Sequence, residues 1–86
     1  MNIRWLPHAR ARLRERHLSE RLVRETIRQP QQVMGRGPHQ VLQRRYVDAV
    51  QRKEYVLRVF VERLPGQTLV RSVYRTSKIH KYWRAP

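Results

Sequence analysis

Residues 55–63 read Tyr-Val-Leu-Arg-Val-Phe-Val-Glu-Arg, and no other stretch constrains the fold as much. At a period of two, Tyr55, Leu57, Val59 and Val61 share one face of a strand, and Val56, Arg58, Phe60 and Glu62 share the other. Pro65-Gly66 then suits the central positions of a type II turn, where proline presets one φ and glycine supplies a positive one. Thr68–Thr76 returns as the partner strand, so residues 55–76 are expected to form an antiparallel hairpin.

The segments before it supply the rest of the fold. Asn2–Trp5 reads as a short strand. Pro7 suits the first turn of a helix over His8–His17, because its missing N–H is not needed there. Ala9 and Leu13 would face the core, while His8, Arg12, Glu15 and Arg16 share another face. Ser19 is a natural N-cap for a second helix, with Glu20 near its positive end. Leu22, Val23, Thr26 and Ile27 form its apolar stripe, and Pro30 ends it. Gly35-Arg36-Gly37-Pro38 is a loop. Val41–Val47 follows as a strand, its apolar pattern interrupted by Arg44-Arg45, and Asp48–Lys53 is a polar connection. Lys78–Trp83 is a short helix or an extended tail. The order is β-α-α-β-β-β with a short C-terminal element, in a single domain over residues 1–86. Such an order predicts an α+β fold with two helices packed on one face of an antiparallel sheet. The other face is left open, to be populated by Arg58 and by Arg71 or Arg75.

Charge says what such a face would meet. The 86 residues carry 20 Lys+Arg against 6 Asp+Glu, a net charge of +14, and no cysteine. Residues 67–86 hold five bases and no acid. Self-repulsion of this size works against folding, so a polyanionic partner is expected, nucleic acid first and an acidic protein second. Seventeen of the bases are arginine, which grips phosphate bidentately. A GC-rich genome would explain the excess of Arg over Lys but not the shortage of acids. No apolar run is long enough to span a membrane. The start, MNIRWLPHARAR, is charged where a secretory signal needs an apolar stretch, so a cytoplasmic location is expected. His17, His39 and His80 are scattered without metal-ligand spacing, and neither a metal nor a cofactor is expected.

Two segments carry a resemblance. The first is His8-Ala9-Arg10-Ala11-Arg12-Leu13-Arg14-Glu15-Arg16 followed by Leu18-Ser19-Glu20. The second is Val73-Tyr74-Arg75-Thr76-Ser77-Lys78-Ile79-His80-Lys81-Tyr82-Trp83. They resemble the HAxxRxxxR and VYxTSKxxKYW motifs of a family of short bacterial proteins of unassigned function, which looks like a branch of the RelE/ParE toxin superfamily. The resemblance implies the toxin of a type II toxin–antitoxin module. RelE-like members cleave mRNA without a metal, usually on the ribosome; ParE-like members inhibit DNA gyrase and cleave nothing. Both are neutralised by a small acidic antitoxin. A basic nucleic-acid-binding module without toxicity is the further alternative.

Metal-independent RNA cleavage needs a base for the ribose 2′-hydroxyl, cations for the pentacoordinate phosphate and an acid for the leaving 5′-oxygen. RelE-like enzymes fill these roles with Arg, Lys and a Tyr or His, which makes His8, Arg75, Lys78 and Tyr82 the candidate catalytic residues. Arg12, Arg16, Arg45, Arg58, Arg71 and Lys81 are the candidate RNA-binding residues. Each has a structural alternative. His8 can cap its helix. Arg12 and Arg16 can pair with Glu15 and Glu20. Ser77 can cap the final helix, and Tyr82 and Trp83 can pack on the sheet edge. Trp5 reads as core, and Tyr46 as core or as a stacking platform.

Overall fold

The computed structural model describes residues 2–85; the two ends of the expected domain, Met1 and Pro86, lie outside the described residues. The elements run β1 (Asn2–Trp5), α1 (Pro7–Glu15), α2 (Glu20–Arg28), β2 (Gln32–Met34), β3 (His39–Asp48), β4 (Lys53–Leu64), β5 (Gln67–Thr76) and α3 (Ile79–Tyr82). The strands form one sheet in the order β1-β5-β4-β3-β2. The expected antiparallel sheet is corrected in one respect: β1 pairs with β5 in parallel, and only the other pairs are antiparallel. The cause is a strand the sequence reading lacks. Gln32–Met34 is three residues long, too short to display alternation, yet Val33 pairs with Leu42 and makes it the far edge. From that edge, three reversals bring β5 back beside β1 running the same way.

Both helices start as expected. Pro7 opens α1, and the Ser19 hydroxyl accepts the Leu22 N–H at 3.0 Å to cap α2. Ala9 and Leu13 from α1, and Val23 and Ile27 from α2, are buried against Leu42, Leu57, Val59, Val61, Val70 and Val73 of the sheet. The register sets Leu42 beside Val59 and Val59 beside Val73, so one apolar row crosses three strands beneath the helices. Gly66, at φ 71°, closes the β4–β5 turn. Gly35, at φ 97°, is the most crowded of the three glycines: a Cβ there would lie 2.6 Å from the His39 carbonyl oxygen.

Two details decide which residues reach the open face. Arg58 is opposite Tyr74, on the face without helices, while Arg75 is opposite Leu57 and therefore on the helix face. The register also shifts between Phe60, opposite Ser72, and Val61, opposite Val70, which leaves Arg71 as an extra residue in β5. Of the two arginines expected beside Arg58, the register thus excludes Arg75. Among the described residues, no helix is long and apolar enough to cross a membrane.

Candidate functional site

The open face is organised around a fully buried amide, Gln43, in the middle of β3. A buried carboxamide must have its donors and acceptor met. Its Oε1 accepts from Arg58 Nε at 2.7 Å, and its Nε2 donates to Gln32 Oε1 at 3.0 Å and to the Tyr82 carbonyl at 3.1 Å. Arg58 is thereby fixed at one end of its fork. At the other end its NH1 donates to the Tyr74 hydroxyl at 2.5 Å. Three rings surround the guanidinium, with centroids 5.4 Å (Phe60), 5.5 Å (Tyr74) and 4.4 Å (Tyr82) from Cζ. Tyr82 meets Tyr74 edge-on, and Arg16, at the end of α1, lies 5.8 Å from the Tyr74 ring.

The C-terminal segment brings Tyr82 there. α3 is a single turn without a side-chain cap; Thr76 Oγ1, not Ser77, takes the Lys78 N–H, at 3.1 Å. Trp83 then extends across the sheet and lies under Arg45, 5.3 Å from its guanidinium. Arg84 bonds to the Gln32 side chain through both its N–H and its carbonyl. Arg45 itself forms a two-bond pair with Glu54, at 2.7 and 3.1 Å.

Two phenols in this group are shifted in opposite directions. Burial, first of all, raises Tyr74. Tyr82 is lowered, chiefly by the hydrogen bond it takes from Tyr74 and then by the charges of Lys81 and Arg58, with desolvation opposing. A phenol whose anion is stabilised gives up its proton more readily than an ordinary tyrosine.

All six carboxylates are already engaged by arginine. Glu15 pairs with Arg12, Glu20 with Arg10 and Arg24, Glu25 with Arg21, Asp48 with Arg75, Glu54 with Arg45 and Glu62 with Arg71. Among the described residues, no carboxylate pairs with Arg58, Arg16 or Lys81. The same pairs set the acid stability. Asp48 is held below the ordinary carboxylate range, first by the Gln51 backbone N–H and then by Arg75; Glu54 is lowered by its hydrogen bond from Arg45. Lowered carboxyls contribute stability that is complete above their unfolded values and is lost as pH falls through the folded ones. The melting temperature followed by circular dichroism is therefore expected to stay level from pH 7 to about 5 and to drop below about pH 4. Asp48→Asn should shrink that drop.

No protein-family model, curated protein or solved structure matches this chain.

Of the candidate catalytic residues, only Tyr82 joins the Arg58 cluster. His8 is exposed in the first turn of α1 and makes no side-chain hydrogen bond to a described residue. It stands about 12 Å along the helix from Arg16, the α1 residue that reaches Tyr74. Arg75 is on the helix face, tied to Asp48 at 2.6 Å and to the Tyr46 hydroxyl at 3.3 Å. Lys78 is exposed at the start of α3, four residues before Tyr82. Of the candidate RNA-binding residues, Arg12 is turned to Glu15, whereas Arg16, Arg45, Arg58, Arg71 and Lys81 belong to the open face or its rim. Gln43 and Phe60 are not among the expected site residues. Phe60 and Arg58 fall on the same face by alternation, which was a usable signal. For Gln43 no signal existed before the β3–β4 register was known.

Proposed function

We propose that the chain is the toxin of a type II toxin–antitoxin pair, acting on RNA through the open face of its sheet and cleaving mRNA without a metal. The observation that carries this reading is the chain of contacts Gln43–Arg58–Tyr74–Tyr82: a positioned guanidinium leading to a phenol of lowered pKa, with no unengaged carboxylate among the described residues. The motif resemblance supports it, as does the order of one strand, two helices and a run of strands. In this reading Arg58 and Arg16 hold the scissile phosphate. As the 2′-hydroxyl oxygen attacks phosphorus, its proton passes to the neutral amine form of Lys78, four residues before Tyr82. Tyr82 gives its proton to the departing 5′-oxygen, leaving a 2′,3′-cyclic phosphate and a free 5′-hydroxyl. RNA, free or on the ribosome, and an acidic antitoxin are the partners, in the cytoplasm.

The second reading is a non-catalytic toxin of the ParE kind, and the separation of His8 and Arg75 from the cluster favours it. Both readings are tested together. Purified protein is incubated with RNA, with and without ribosomes, and the ends are analysed; induction in cells is followed by growth and DNA integrity. Cyclic phosphate ends with growth arrest are expected. Arrest with intact RNA and a gyrase block would establish the second reading. No arrest and no cleavage would reduce the protein to a basic nucleic-acid-binding module.

A further inference from the structure

A separate concavity lies on the helix side of the sheet, where β3 turns into β4. It opens to solvent beside the exposed Val50, has a volume of about 320 Å³ and is lined by His17, Asp48, Val50, Gln51 and Arg75. Its polar walls are hydrogen-bonded to one another. Asp48 Oδ1 accepts the backbone N–H groups of Val50 and Gln51 at 2.9 Å each, and Oδ2 accepts Arg75. The Arg75 guanidinium rests 4.1 Å from the centre of the Tyr55 ring, and the Tyr55 hydroxyl donates to the Gln51 side-chain oxygen. The N–H groups of the Gln51 side-chain amide have no partner among the described residues.

Charge and strain both bear on what fits. The Arg75–Asp48 pair is largely shielded, at 14% and 18% exposure, so this arginine is already neutralised and the cavity is not built for phosphate. It offers direction instead: donors on Gln51 and Arg75, acceptor lone pairs on Asp48, and the imidazole of His17 at the rim. His17 follows α1 at φ 53°, with the Leu18 N–H reaching back to the Leu13 carbonyl. Glycine takes this helix-ending conformation without strain, and histidine does not. A histidine there gives up backbone ease for a side chain at the cavity mouth.

The site also adjoins the open face. β1 stops opposite Val70, so among the described residues the edge of β5 beyond it has no strand beside it. Across that edge, Arg16 and Tyr74 face one way, and their sequence neighbours His17 and Arg75 face the other. A single strand of RNA passing over Arg16 would bring a base to the mouth of the cavity.

We propose that this cavity takes one unpaired RNA base, hydrogen-bonded along its edge by Gln51, Arg75 and Asp48 and stacked on His17. The proposal rests on the RNA reading above, and two probes separate them. The first is titration of the full chain with the four uncharged ribonucleosides, followed by the NMR signals of the His17 ring and the Gln51 side-chain amide. At least one nucleoside is expected to shift both. The second is fluorescence anisotropy with the four homopolymer RNA ten-mers. The wild type is expected to prefer one of them by about tenfold. In His17→Gly and Gln51→Leu that preference should vanish while the salt dependence of binding stays the same. His17→Gly relieves the strained backbone, so its melting temperature should not fall. The cavity proposal is overturned if RNA binds but no nucleoside moves these signals, or if both variants keep the wild-type preference. Nucleoside shifts without RNA binding at low salt would instead overturn the RNA reading.

Discussion

Arg58→Ala is expected to lower RNA cleavage by about 10²–10³-fold and to release growth arrest, because one positioned donor to a charged transition state is worth that much. Arg58→Lys is expected not to restore it. The arginine here does three things that an ammonium cannot do together: it donates through Nε to Gln43, through NH1 to Tyr74, and presents a flat cation to Phe60, Tyr74 and Tyr82. If Arg58 acted only as a charge, lysine would rescue most of the activity, and that result would reduce its role to a charge and take its fork geometry out of the mechanism. Both variants also leave the buried Gln43 oxygen without its donor. That costs about 1–3 kcal/mol of stability, so cleavage should be assayed well below the melting temperature measured for each. Gln43→Leu separates the two effects. It removes the orphaned amide yet frees the Arg58 fork, and should therefore lose activity without a matching loss of stability.

How far this was legible in the sequence depends on the length of each signal. The alternation over residues 55–63, the Pro65-Gly66 turn and the Ser19 cap are local, and each stands where local rules put it. β2 did not follow from any such rule, because three residues have no period, and without β2 the direction of β5 relative to β1 could not be counted. Arg58 was placed on the open face from alternation alone. Arg75 could not be placed, since the extra residue at Arg71 stands between it and the turn that sets the register. By sequence, Tyr82 and Trp83 can pack against the sheet edge. They pack on the open face itself, guided by Gln43 and Gln32, two glutamines whose role shows only once residues 11 apart in the chain are hydrogen-bonded across the sheet. The parts of the site made within one element were readable; those made across strands were not.

Tyr82→Phe discriminates cleavage from binding. Phenylalanine keeps the ring that packs edge-on against Tyr74 and lies 4.4 Å from the Arg58 guanidinium carbon, and it keeps the carbonyl that accepts from Gln43. Only the hydroxyl goes. Stability and RNA affinity are therefore expected to change little, whereas cleavage should fall by about 10²–10⁴-fold, the usual worth of a general acid. A pH profile adds a second check. The acid must be protonated to act, so wild-type cleavage should decline on the alkaline side at a pH below the ordinary tyrosine value, in keeping with the lowered Tyr82 phenol. The residual activity of Tyr82→Phe should lack that decline. Unchanged cleavage in the variant would take the hydroxyl out of the chemistry. Unchanged growth arrest with RNA intact would go further, because the open face would then act by occupation alone, as the ParE-like reading requires.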